Sequence, residues 1–274
     1  MRELLQKIHW LSFDVVVGAM LCAAAASKLP DGTGEINYWA ICVLGLVVWL
    51  IYTVDRLLDI RKKPRQLTDR HQFHARHASS LWKICIGIGI VTGAIACFLP
   101  LSLIRFGLIM GSLCGGYLLL VNQLGSKSKL HFLKEPLTAL LYTAGIWGIA
   151  FTNQAAFSTA DCLLALMFGC IAFQNLLLFS WMETHGKLTS PNFASILRDG
   201  FPDFLIRLLC LILLGCFLYV SVEEIMPYQR RFVFTELLMS IILLEIRRNY
   251  SFYLVNDRYR WLGDGVFLLM GWLL

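Results

Sequence analysis

The sequence is poor in charge. Only 15% of its 274 residues are Asp, Glu, Lys or Arg, against 58% hydrophobic. A soluble domain sits near one quarter charged, so a soluble enzyme and a disordered chain are both excluded. Proline is scarce at seven residues, and no Ser/Gly-rich linker, low-complexity tract or internal repeat divides the chain. Cysteine is not scarce, but none of the nine forms a CxxC pair, and all lie in apolar stretches. Cysteine there is a small buried hydrophobe, which argues against a disulfide framework and against zinc or iron–sulfur ligation. Walker A, GxGxxG, HExxH and a Ser/His/Asp arrangement are absent as well.

What is present is apolar sequence in long runs. Windows of about 20 apolar residues mark transmembrane helices. Nine are read at 9–28, 37–58, 81–99, 102–122, 135–152, 159–182, 203–222, 232–249 and 260–274. The expected fold is all-α: a polytopic bundle of about nine transmembrane helices forming one integral membrane domain over 1–274, with loop 59–80 a candidate cap. The first stretch carries Asp14 and runs into a second long span, which suits an uncleaved helix better than a signal peptide.

Charge orients the bundle. With a cytoplasmic N-terminus, 20 of the 24 basic residues fall on the cytoplasmic side, leaving Lys28, Arg105, Arg230 and Arg231 opposite. The basic excess is then a topology signal, with the C-terminus on the opposite side and no need for nucleic acid. Labelling a cysteine introduced near Ser79 from outside intact cells would contradict this orientation.

The most informative stretch is Tyr52-Thr-Val-Asp55-Arg56-Leu-Leu-Asp59-Ile-Arg61-Lys62-Lys63-Pro64-Arg65. Asp55 and Asp59 stand one turn apart on one helical face. Such a pair can hold Mg²⁺ through hard oxygen ligands completed by substrate phosphates, and the neighbouring Arg and Lys suit phosphate oxygens. The alternative is an ordinary helix end whose carboxylates pair with juxtamembrane arginines.

At these residues the chain resembles the UbiA-type intramembrane prenyltransferases. The family's first motif is Asn-Asp-x-x-Asp-x-x-x-Asp. Its last two acids fall on Asp55 and Asp59, and its first two positions on Ile51 and Tyr52. Lys129-Leu-His-Phe-Leu-Lys134-Glu135-Pro136, entering the fifth helix, is similar to a basic family segment. The second acidic motif, at the end of the sixth helix, is represented by Asn175 and Glu183.

The resemblance implies a cavity in which Mg²⁺ on Asp55, Asp59 and Glu183 holds an isoprenyl diphosphate. Asn175 completes the second site, and Arg65, Arg70 and Lys134 bind the diphosphate. The prenyl group would pass to an aromatic or other lipophilic acceptor. Metal and cations would stabilise the leaving diphosphate, and Trp49, Tyr52 or Trp181 could shield an allylic cation. Two rival readings are a non-catalytic isoprenoid- or lipid-binding protein of the same fold and a small transporter.

Weaker features remain. His71, His74 and His77 sit at i, i+3 and i+6 in a basic loop, which reads better as touching anionic headgroups, or as capping the cavity, than as a metal box. Asn256-Asp257-Arg258-Tyr-Arg260-Trp-Leu-Gly-Asp264 repeats the Asp-Arg theme, as a second part of a polar vestibule or as a pair tying the last two helices. Asp14 and Glu245 receive no role.

Overall fold

The computed structural model describes residues 2–62, 69–123, 133–154, 157–185, 193–197, 200–222 and 225–274. Helix makes up 89% of it, and no strand occurs among the described residues, so the fold is all-α. The order is α1 (Arg2–Trp10), α2 (Phe13–Ser27), α3 (Tyr38–Lys62), α4 (Asp69–Arg76), α5 (Ala78–Ala96), α6 (Leu101–Gln123), α7 (Lys134–Asn153) and α8 (Thr159–His185). Then follow α9 (Phe193–Ile196), α10 (Phe201–Val222), α11 (Pro227–Arg248), α12 (Tyr250–Leu254) and α13 (Arg258–Gly265), with a 3₁₀ tail over Val266–Leu273.

Among the described residues, five helical segments are long and apolar enough to cross a membrane: Tyr38–Ile60, Ala78–Ala96, Leu101–Val121, Thr159–His185 and Phe201–Val222. They make the chain a multi-pass membrane protein. The other apolar stretches read from the sequence are helical too, but shorter or more polar. The first is interrupted: Ser12 takes a left-handed conformation (φ 59°, ψ 28°), so α1 and α2 are separate helices. The last begins as α13 and tightens into the 3₁₀ tail.

The centre of the bundle is α2. Its run Cys22-Ala-Ala-Ala-Ala-Ser27 is buried throughout, and small side chains let α3, α7 and the tail approach closely. A Cβ on Gly18 would stand 2.9 Å from the Cβ of Phe267, so the tail rests directly on the α2 backbone. Around this centre α7 packs on α8, and α8 on α10 and α11.

Polar side chains tie these helices, since a membrane gives little hydrophobic drive between them. The fully buried Gln174 accepts from Ser240 Oγ at 2.7 Å and donates to the Ile206 carbonyl at 3.2 Å, joining α8, α11 and α10. Gln229 donates to Asp161 at 2.8 Å, and the Tyr228 hydroxyl donates to the Ala25 carbonyl at 2.8 Å. Two shorter elements close the charged end of the bundle: α4 lies against α3 and α5, and α9 against α8.

Candidate functional site: a charged bundle end

One cluster of charged residues lies where α3 finishes and α7 begins. Asp55 and Asp59 are half-buried on the last turns of α3. Lys134, the first residue of α7, lies beside them. Asp55 foremost, and Asp59 with it, holds its ammonium above the ordinary lysine range despite the cost of burial. The Lys134 carbonyl accepts from Thr138 Oγ1 at 2.7 Å, and that hydroxyl bonds Tyr117 at 2.8 Å, so the ammonium sits on a braced helix start. Next to it, Glu135 accepts from the Phe193 backbone N–H at 3.2 Å and docks α9 onto α7.

Arg70, from the cap helix α4, reaches inward. Burial, and then the proximity of Arg56 and Arg260, push its guanidinium well below the ordinary range, while Glu183 and Asp264 oppose the shift. Three guanidiniums from α3, α4 and α13 thus share one region with two carboxylates. An arginine stays charged, so an anion entering this region would relieve their remaining repulsion. Arg56 donates to the Trp10 carbonyl at 2.8 Å, which fixes it beneath α1. Arg260 forms an ion pair with Glu183 and donates to the Tyr259 hydroxyl at 3.1 Å.

Asn175 is buried on α8, and its Oδ1 has no hydrogen-bond partner. A Cβ on Gly263 would stand 2.6 Å from that oxygen, so Asn175 lies against the α13 backbone where only glycine fits. The geometry therefore groups Asp55 and Asp59 with Lys134, and Glu183 with Arg260 and Arg70. It sets Asn175 against α13. Arg65 lies outside the described residues.

Sequence reasoning passed over part of this end. Arg56 and Arg260 join the cationic region, although only Arg70 and Lys134 among the described residues were expected to bind diphosphate. Asp264 and Asp14 approach each other across α13 and α2, next to His9. Their one signal in the sequence was an acid standing at the end of an apolar helix, where ionisable groups are costly and often functional. A further acid, Glu236 on α11, is wholly buried with neither carboxyl oxygen hydrogen-bonded.

The cap carries a pH dependence. Burial, then Arg70, Arg56 and Arg260, lower His71 from 6.5 to about 3. Burial is also the main cause that lowers His74 to about 4, although its Nδ1 donates to the Arg70 carbonyl at 2.9 Å. Both are neutral when docked and protonate more readily when released. Their contribution to docking is therefore present above pH ~6.5 and lost as pH falls through about 4 for His74 and about 3 for His71. Limited proteolysis across α4 should accelerate on acidification through that window, and His74→Gln should flatten part of the change. Proteolysis independent of pH would contradict it.

These features define an all-α, multi-pass membrane protein with a charged mouth at one end of an apolar bundle. No family model, curated protein or solved structure matches the chain.

Proposed function

We propose that the protein is a divergent UbiA-type intramembrane prenyltransferase of nine transmembrane helices with a cytoplasmic N-terminus. It transfers a prenyl group from an isoprenyl diphosphate to a lipophilic acceptor. The supporting observation is the placement of Asp55, Asp59 and Lys134 at the same bundle end as the inward-facing Arg56, Arg70 and Arg260. This end combines hard oxygen donors with cations, as a metal-bound diphosphate requires.

The donor set fits Mg²⁺ at Asp55 and Asp59, two carboxylates one turn apart and half open. Glu183 fits less well, because Arg260 already holds its carboxylate. Bound there, Mg²⁺ would supply Lewis-acid stabilisation of a leaving diphosphate. The protein's own part is electrostatic. Lys134 and Arg70 hold phosphate oxygens, and Arg56 and Arg260 keep the surrounding potential positive. Burial makes each contact stronger than it would be in water. Trp49, buried on α3, and Tyr52, one turn before Arg56, offer aromatic surface on the same helix.

The Glu183–Arg260 pair favours one second reading, a non-catalytic isoprenoid-binding protein that retains the diphosphate end without a second acidic site. Binding and turnover separate the two. Purified protein should retain a labelled prenyl diphosphate in the presence of Mg²⁺ and release it to chelator. Release of inorganic diphosphate on adding a lipophilic aromatic acceptor marks the enzyme, and retention without release marks the binding protein. Absence of Mg²⁺-dependent retention overturns both.

A further inference from the structure

We propose that His9, Asp14 and Asp264 form a second divalent-cation site, with mixed nitrogen and oxygen ligands, separate from Asp55 and Asp59. His9 and Asp14 face each other across the Ser12 break between α1 and α2, and the fold brings Asp264 of α13 to them. One ligand atom from each lies within 4.8 Å of the others. His9 is 6% exposed and the Asp14 side chain 17%, so neither is an ordinary surface charge.

The imidazole is already aligned. Its Nδ1 bonds Asp14 Oδ2, and its ring stacks on Trp261 with centroids 4.4 Å apart and planes 21° from parallel. The other Asp14 oxygen accepts the Val15 backbone N–H at 3.0 Å. Carboxylates from two distant parts of the chain are thus held close together, a repulsive arrangement that a cation relieves. Arg56 and Arg260 lie within electrostatic reach of Asp264. Their donors are nevertheless committed in part to the Trp10 carbonyl and to Glu183.

A second observation points to the same place. The Tyr142 hydroxyl oxygen is shut off from solvent and has no hydrogen-bond partner. It lies within electrostatic reach of both Asp14 and Asp264. A buried hydroxyl without a partner is costly, and water held by a cation at this cluster would offer it one.

The ligand types select the ion. One imidazole with two carboxylates suits Zn²⁺, Mn²⁺ or Fe²⁺ better than Mg²⁺ or Ca²⁺, which prefer oxygen alone. Three protein ligands leave a coordination position open, as in catalytic rather than structural zinc sites. The ion would also clamp α1 and α13 onto α2, across the break at Ser12.

The test uses Co²⁺ as a visible probe on chelator-stripped, detergent-purified full-length protein. With excess Mg²⁺ present to occupy Asp55 and Asp59, wild type should develop a d–d absorption band that saturates at one equivalent and is displaced by Zn²⁺. His9→Gln and Asp264→Asn should each weaken Co²⁺ binding by about 10- to 100-fold. The Asp55→Asn/Asp59→Asn double variant should titrate as wild type. Since the assay contains no prenyl diphosphate, its result is independent of the transferase proposal. A wild-type protein without the band, a band that survives both His9→Gln and Asp264→Asn, or one abolished in the Asp55/Asp59 variant overturns the site. Should His9→Gln fail to fold, the wild-type titration and Asp264→Asn decide alone.

Discussion

Asp55→Asn/Asp59→Asn should lower Mg²⁺-dependent prenyl diphosphate affinity by about a hundredfold, roughly 2.7 kcal/mol. The substitution preserves size and hydrogen-bonding capacity but removes both charges that a divalent ion would bridge to phosphate. It also removes the carboxylates that keep Lys134 protonated. That ammonium then remains half-buried with its two main partners gone, so a modest loss of thermal stability accompanies the loss of binding. Lys134 is held above its ordinary value, so its stabilisation is complete below about pH 10 and is lost only as pH rises through the folded value. Near neutrality Lys134 is therefore charged in the wild type. Equilibrium binding with and without Mg²⁺ checks the prediction. Undiminished Mg²⁺-dependent binding in the double variant would end the metal reading of Asp55 and Asp59.

Arg260→Met should be among the most destabilising substitutions at the charged end, costing about 3 kcal/mol. Arg260 pairs with Glu183, and their side chains are 15% and 26% exposed, so most of the pair is shielded from water. Truncating the cation leaves Glu183 without its ion-pair partner. Glu183→Gln should cost less, because an amide can still accept from the guanidinium. The combined Glu183→Gln/Arg260→Met variant should recover part of the loss, giving a coupling energy of about 1–2 kcal/mol in a double-mutant cycle. Denaturation in detergent measures all three. Strict additivity would show that the pair is not an energetic unit, leaving Glu183 free for the metal role that its position at the end of α8 first implied.

Much of this architecture was legible because it is local. Apolar runs of about 20 residues must become helices in lipid, since no other segment satisfies its own backbone there. The one-turn spacing of Asp55 and Asp59 needs nothing beyond helical geometry, whereas Lys134 stood out only through the family resemblance of the segment entering α7. What could not be read depends on contacts between distant segments. Glu183 and Arg260 are far apart in sequence and meet only because α13 packs on α8. Asp14 and Asp264 belong to opposite ends of the chain. The Ser12 break also left little trace, because neither glycine nor proline marks it. Asn256 and Asp257, both left-handed before α13, are the readable counterpart, since Asn and Asp tolerate that conformation best.

The packing around α5 and α6 is uneven in a way that matters for handling the protein. Only 17% of the apolar window of α5 and 6% of that of α6 is buried within the chain. Each leans on the bundle from one side, α5 on α3 and α6 mainly on α7. Their remaining surface has no counterpart among the described residues, so the surrounding amphiphile acts as a structural component of α5 and α6. Short-chain detergents that pack loosely would fray α5 and α6 first, while the α2–α8–α11 centre keeps its own contacts. Loosening α5 also removes one support of α4, and with it the seat of Arg70. The composition of the micelle thereby becomes a variable of the charged end itself.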